Sequence, residues 1–130
     1  MVNFFWDKTK EAYSETSFLC SIILAGITAE LAHKTRLREE YVKTKGRIWA
    51  ELIKCEKDGE TRRIAKQIKD DYRNVWVHPD LEEIESYLGS SGGPMTTDVA
   101  LNIAFASAKA LDLLEITKNF LSRLFGPRQP

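Results

Sequence analysis

Proline is missing from the first 78 residues of the chain; all four prolines lie at position 79 or beyond. That stretch holds no obligatory helix breaker, and only Gly26, Gly46 and Gly59 punctuate it. Alternating runs of β-branched residues are missing as well, so no strand pattern emerges. Cysteine is scarce. Cys20 and Cys55 stand far apart without metal-ligand spacing, and their apolar helical surroundings predict two buried free thiols. Net charge is absent, with 19 basic side chains against 19 acidic ones. No whole-molecule field then steers the chain to nucleic acid or membrane, and anion binding must come from a local patch.

Other absences narrow the chemistry. The longest uncharged run, 16–29, is too short and too interrupted for a membrane span, so no membrane partner is expected. The opening "MVNFFWDKTK" puts no basic leader ahead of an apolar segment; no signal peptide and a cytoplasmic location are expected. Two histidines, two lone cysteines and scattered acidic residues offer no metal site. "GSSGGP" at 89–94 precedes a helix but lacks the lysine and the strand of a phosphate-binding loop. No serine nucleophile arrangement stands out, and no cofactor is expected.

What is present is ordinary for a globular domain: 130 residues, 43% apolar and 29% charged. One helical domain over 1–125 is expected, with a flexible tail at 126–130. A first helix runs from Asn3, as N-cap, to about Tyr13, and "SETS" at 14–17 makes a turn. A longer helix follows. Its stripe of Phe18, Leu19, Ile22, Ile23, Gly26, Ile27, Glu30 and Leu31 marks it as the central helix, and its charged end from His33 is expected to protrude into solvent. A short helix over 46–57 presents Ile48, Trp49, Leu52, Ile53 and Cys55, and "DGE" at 58–60 turns the chain. A third major helix spans about 61–76. "PDLEEIESYLG" reads as a short helix, "GSSGGP" as a mobile loop, and a long last helix begins at Thr97 or Asp98. Its buried side is expected to carry Leu101, Ala104, Phe105, Ala108, Leu111, Leu114, Leu121 and Leu124. Long antiparallel helices with short links predict an all-α, up-and-down helical bundle.

The third major helix carries the candidate chemistry. On a wheel of about 100° per residue, Ile64, Ala65, Ile68, Tyr72, Val75 and Trp76 form the buried face. Arg62, Lys66, Lys69 and Arg73 stack beside it as a basic ladder, either an anion track or a solvated face. In an unbroken helix Arg73 and His78 would diverge by about 140°. Pro79 pushes His78 out of the helical region, free to turn back towards Arg73. There it sits near the negative end of the helix dipole, as a proton carrier or as a cap on the last carbonyls.

The hexapeptide "RNVWVH" at 73–78 resembles the R-N-x-x-x-H signature of HEPN domains. "SFLCSIILAGITAELAHK" is similar to that family's second helix, with Glu30 at its glutamate before leucine, and "ALNIAFASAKALDLLEITKNFL" resembles its closing helix. The extra short helix before the motif helix departs from the pattern. The resemblance implies a metal-independent ribonuclease that dimerises so that two motifs face each other. Its second implication is a non-catalytic interaction module that binds RNA, an antitoxin or a nucleotidyltransferase-type partner protein.

On the first implication, RNA is cleaved by its own 2′-hydroxyl. Arg73 clamps the phosphate, Asn74 orients it or holds the other residues, and His78 serves as base or acid. Arg62, Lys66 and Lys69 would bind RNA phosphates. One His78 cannot easily be acid and base at once, which argues for a homodimer. Glu30 needs a partner inside its apolar stretch, whether Arg73 or His78 from the adjacent helix or a structural cation of another helix. His33 is read as a solvated surface residue, the alternative being a place at the border of the cleft. Trp49 and Trp76 are read as core or dimer anchors.

Overall fold

In the computed structural model, residues 1–43, 49–73 and 99–126 are described, and all their regular structure is helical. In chain order these are α1 (Val2–Ser14), α2 (Phe18–Arg36), α3 (Arg38–Lys43), α4 (Trp49–Lys54), α5 (Gly59–Gln67), a π-helical segment (Ile68–Arg73) and α6 (Val99–Phe125). The expected all-α bundle is what forms. The short helix read from 79 onward, the loop at 89–94, the N-cap at Thr97 or Asp98, and Ile48, Val75, Trp76 and the tail at 127–130 lie outside the described residues.

Helix α1 starts one residue before the expected Asn3 cap, with Met1 at the N-cap position and no side-chain cap. It ends in the turn anticipated at 14–17, where Thr16 adopts a left-handed φ of 63°. Backbone bonds from Thr16 to Tyr13 and from Ser17 to Ala12 close that turn and fold α2 back onto α1. The seam between them is made of small and hydroxyl side chains. Ser21 Oγ donates to the Thr9 carbonyl at 3.0 Å, and the hydroxyls of Thr9 and Thr28 meet at 3.3 Å, all three buried.

The core face of α2 is therefore not the expected stripe. Ser21, Ile22, Ala25, Gly26, Thr28, Ala29, Ala32 and His33 are buried, whereas Leu19 is 52% exposed and Ile23, Ile27 and Leu31 are only half-buried. Close helix approach selects the small residues and turns the large ones to the flank. The same rotation corrects the cysteine reading: Cys20 lies exposed on that flank, and Cys55 is half-buried. By length and composition α2 is the one described helix that could cross a membrane; here its small-residue face forms the centre of the bundle.

Helix α6 packs on α2 and α5. Its end meets the start of α5, where Arg123 reaches Asp58 and Thr61, while Lys109 and Asp112 act on Asp71 and Tyr72, so the two helices run antiparallel. Its buried line is Ala110, Leu113, Thr117, Phe120, Leu121 and Leu124. Leu121 and Leu124 fall where expected. Ala108 and Leu111 do not: both are exposed, because the core line passes through the polar Thr117, and Leu114 is only half-buried. The side chains of Leu101, Ala104 and Phe105 lie outside the description. Gly126, at φ 93°, closes the helix with a bond from its N–H to the Ser122 carbonyl.

Candidate functional site

The short helix α4 and the start of α5 are fixed from behind by a buried polar chain. Asp58 is the N-cap of α5: its carboxylate accepts from the Thr61 backbone N–H and hydroxyl and from Arg123. Those donors hold the Asp58 carboxyl down at about 2. Beneath it lies His33, fully buried rather than solvated, which corrects the expectation drawn from its charged neighbours. The Trp49 indole N–H donates to His33 Nδ1 at 3.0 Å, and His33 Nε2 bonds Glu56 Oε1 at 2.9 Å. Since Nδ1 must accept, the proton sits on Nε2, and the ring is neutral. Burial lowers the imidazole's pKa, outweighing the opposite pull of the Glu56 carboxylate. Trp49 is the core anchor expected of it, and Phe120 packs edge-on against the imidazole.

The front of the same two helices is charged. Thr61, Ile64, Ala65, Ile68 and Tyr72 face inward, as the wheel indicated for all but Thr61. A groove of about 400 Å³ runs between α4 and α5 with Ala50 and Ile53 as its apolar floor. Five cations line it: Lys54 from α4, and Arg62, Arg63, Lys66 and Lys69 from α5 and the π-helical segment. Three of them have carboxylate partners. Lys54 pairs with Glu51 at 3.5 Å, Arg63 with Glu60 at 2.5 Å and Lys69 with Asp70 at 2.7 Å. Arg62 and Lys66 are exposed and have no such partner among the described residues. Arg62, Lys66 and Lys69 thus line one groove.

The winding changes at Ile68. From there to Arg73 the backbone is π-helical, so the α-helical wheel that aligned Lys69 with Arg73 stops applying at Gln67. Carboxylates border this segment. Asp71 is shifted upward by burial and by Asp70, with Lys109 opposing, and burial also raises Tyr72. Arg73 closes the segment; its side chain, Asn74 and His78 lie outside the description.

Glu30 is bonded to Lys34 on its own helix at 2.6 Å, one turn on; its expected partners Arg73 and His78 have side chains outside the described residues. It lines a separate cavity of about 400 Å³ with Met1, Phe5, Ile27 and Leu31, all from the α1–α2 side. Comparison with family models, curated proteins and solved structures finds no match to this chain.

No group of three or more His, Cys, Asp or Glu side chains among the described residues is placed to hold a metal ion. Sequence reasoning missed Lys54 and Arg63 as parts of the groove. Lys54 sits on a different helix from the ladder, and Arg63 lies one position off its spacing. The only available signal was the density of basic residues in "IKCEKDGETRRIAK".

Proposed function

We propose that this chain binds RNA along the outer face of α5 and cleaves it through Arg73, Asn74 and His78, acting as a homodimer. The observation that carries the reading is the cationic groove, whose Arg62, Lys66 and Lys69 precede Arg73, the first residue of the R-N-x-x-x-H string, on the same helical run. A track that concentrates phosphates immediately before a phosphate clamp is what such an enzyme requires. The π-helical winding that ends on Arg73 supports it too, since such windings are frequent at functional sites.

The chemistry follows from the residue types. A base removes the proton of a ribose 2′-hydroxyl, whose oxygen attacks the adjacent phosphorus. The P–O5′ bond breaks and an acid protonates the departing oxygen, leaving a 2′,3′-cyclic phosphate and a 5′-hydroxyl. Arg73 offsets the charge that gathers on the phosphoryl oxygens, and Asn74 orients them. Paired copies would bring two His78 side chains, one for each proton transfer. The half-buried flank of α2, with Leu19, Ile23, Ile27 and Leu31, offers apolar surface for pairing.

The test uses matched oligonucleotides, one all RNA and one carrying a single 2′-deoxy nucleotide at the cleaved position. The proposal expects cyclic-phosphate ends from the first and no cut at the substituted position in the second. Cleavage unaffected by the deoxy substitution would refute 2′-hydroxyl attack. No cleavage of either, with the dimer intact, would favour a non-catalytic module that binds RNA, an antitoxin or a nucleotidyltransferase-type partner.

A further inference from the structure

The groove between α4 and α5 is more than one face of a basic helix. It has two walls, Lys54 on one and Arg62, Arg63, Lys66 and Lys69 on the other, with Ala50 and Ile53 between them. At Gly59 an added Cβ would meet nothing within 4 Å, so that part of the lining is open. The volume of about 400 Å³ falls within the range of small-ligand sites. Charge is left over there, because Arg62 and Lys66 have no carboxylate partner among the described residues.

We infer that this groove is a subsite for one nucleotide of single-stranded RNA, with its phosphate on Arg62 and Lys66 and its base on Ala50 and Ile53. The inference rests on the RNA reading above and deepens it. A cationic rim over an apolar floor matches the two halves of a nucleotide, whereas an acidic peptide would use the rim and leave the floor empty. A step of about 6 Å, at ~1.5 Å rise per residue, separates Arg62 from Lys66 along the axis, and Lys69 follows at the start of the π-helical segment. They lead a strand from the groove towards Arg73. The floor has no aromatic ring, so the base packs by apolar contact and the subsite tolerates any sequence.

The test measures binding apart from cleavage. Fluorescence anisotropy of a labelled 2′-O-methyl oligonucleotide, which cannot be cut, is followed across a range of potassium chloride concentrations. The wild-type chain is compared with Arg62→Gln/Lys66→Gln and with Lys54→Gln; all three positions are at the surface, and circular dichroism checks that the fold is kept. Loss of the one phosphate that both side chains neutralise flattens the plot of log affinity against log salt by about 0.7 for a single strand. Lys54→Gln also weakens binding, although it lies on the other helix. An unchanged slope in the double variant overturns the proposal. So does a Lys54→Gln variant that binds as well as the wild type, which would leave only a basic helix face. Equal binding of a glutamate-rich peptide, with the same dependence on Arg62 and Lys66, overturns it in favour of a peptide site. Groove binding without any RNA cleavage would keep the subsite and refute the nuclease; cleavage with an unchanged slope would do the reverse.

Discussion

Between α1 and α2 the buried polar atoms are hydroxyls; behind α4 and α5 they are an imidazole, an indole and a carboxylate. The hydroxyls of Thr9 and Thr28 donate their protons to carbonyls of their own helices, at 2.7 Å each, so the two threonines are satisfied locally and carry no charge. The Trp49–His33–Glu56 chain instead ties three separate pieces of sequence together, and it holds only while His33 stays neutral. The seam needs nothing but closeness. The α4–α5 wall needs a defined protonation state, and it is the wall whose outer side carries the groove. Backing a charged surface with a hydrogen-bonded interior, in which the Glu56 carboxylate accepts from His33 and from the Asp58 backbone N–H, fixes the groove's position.

Four variants break or sharpen that contrast. The largest effect is expected in the core of the bundle: Ala29→Leu adds volume on α2 where the side chain is fully buried and should cost about 1–3 kcal/mol or more by urea unfolding. His33→Gln should cost about 1–3 kcal/mol, because the Trp49 N–H and the Glu56 carboxylate lose their shared partner. Its pH signature separates it from Ala29→Leu. With the folded-state pKa of His33 lowered from 6.5, stability is fully present above about pH 6.5 and is lost as pH falls towards the folded value. The wild type should therefore weaken between pH 7 and 5, and the variant should show a flatter profile in that window. Thr28→Val removes one member of the hydroxyl pair and should cost about 0.5–1.5 kcal/mol with no added pH dependence. Arg62→Gln/Lys66→Gln should change stability by no more than about 0.5 kcal/mol, since both side chains are exposed, while altering RNA binding. A large stability loss there would show the groove's charges to be structural.

Much of the bundle was legible in the sequence, and the residues explain where that stopped. The inward faces of α4 and α5 followed from large apolar side chains at helical spacing: Trp49, Leu52, Ile53, Ile64, Ile68 and Tyr72. The core face of α2 did not, because Ala25, Gly26, Ala29 and Ala32 contribute by being small, and hydrophobic periodicity weighs size. Thr117 hid the true line of α6 in the same way. His33 stood among charged neighbours, and nothing local announced that Trp49 and Glu56, 16 and 23 residues on, would enclose it. At the site, the ladder's spacing was readable as far as Lys66. The π-helical winding beyond it, and the groove's second wall at Lys54, depend on tertiary packing.

The most direct test of the central claim is RNA cleavage in excess chelator, comparing the wild-type chain with His78→Ala of equal helicity and oligomeric state. The account predicts chelator-resistant cleavage by the wild type and its loss in the variant. Equal cleavage by both proteins, or none by either, would contradict it.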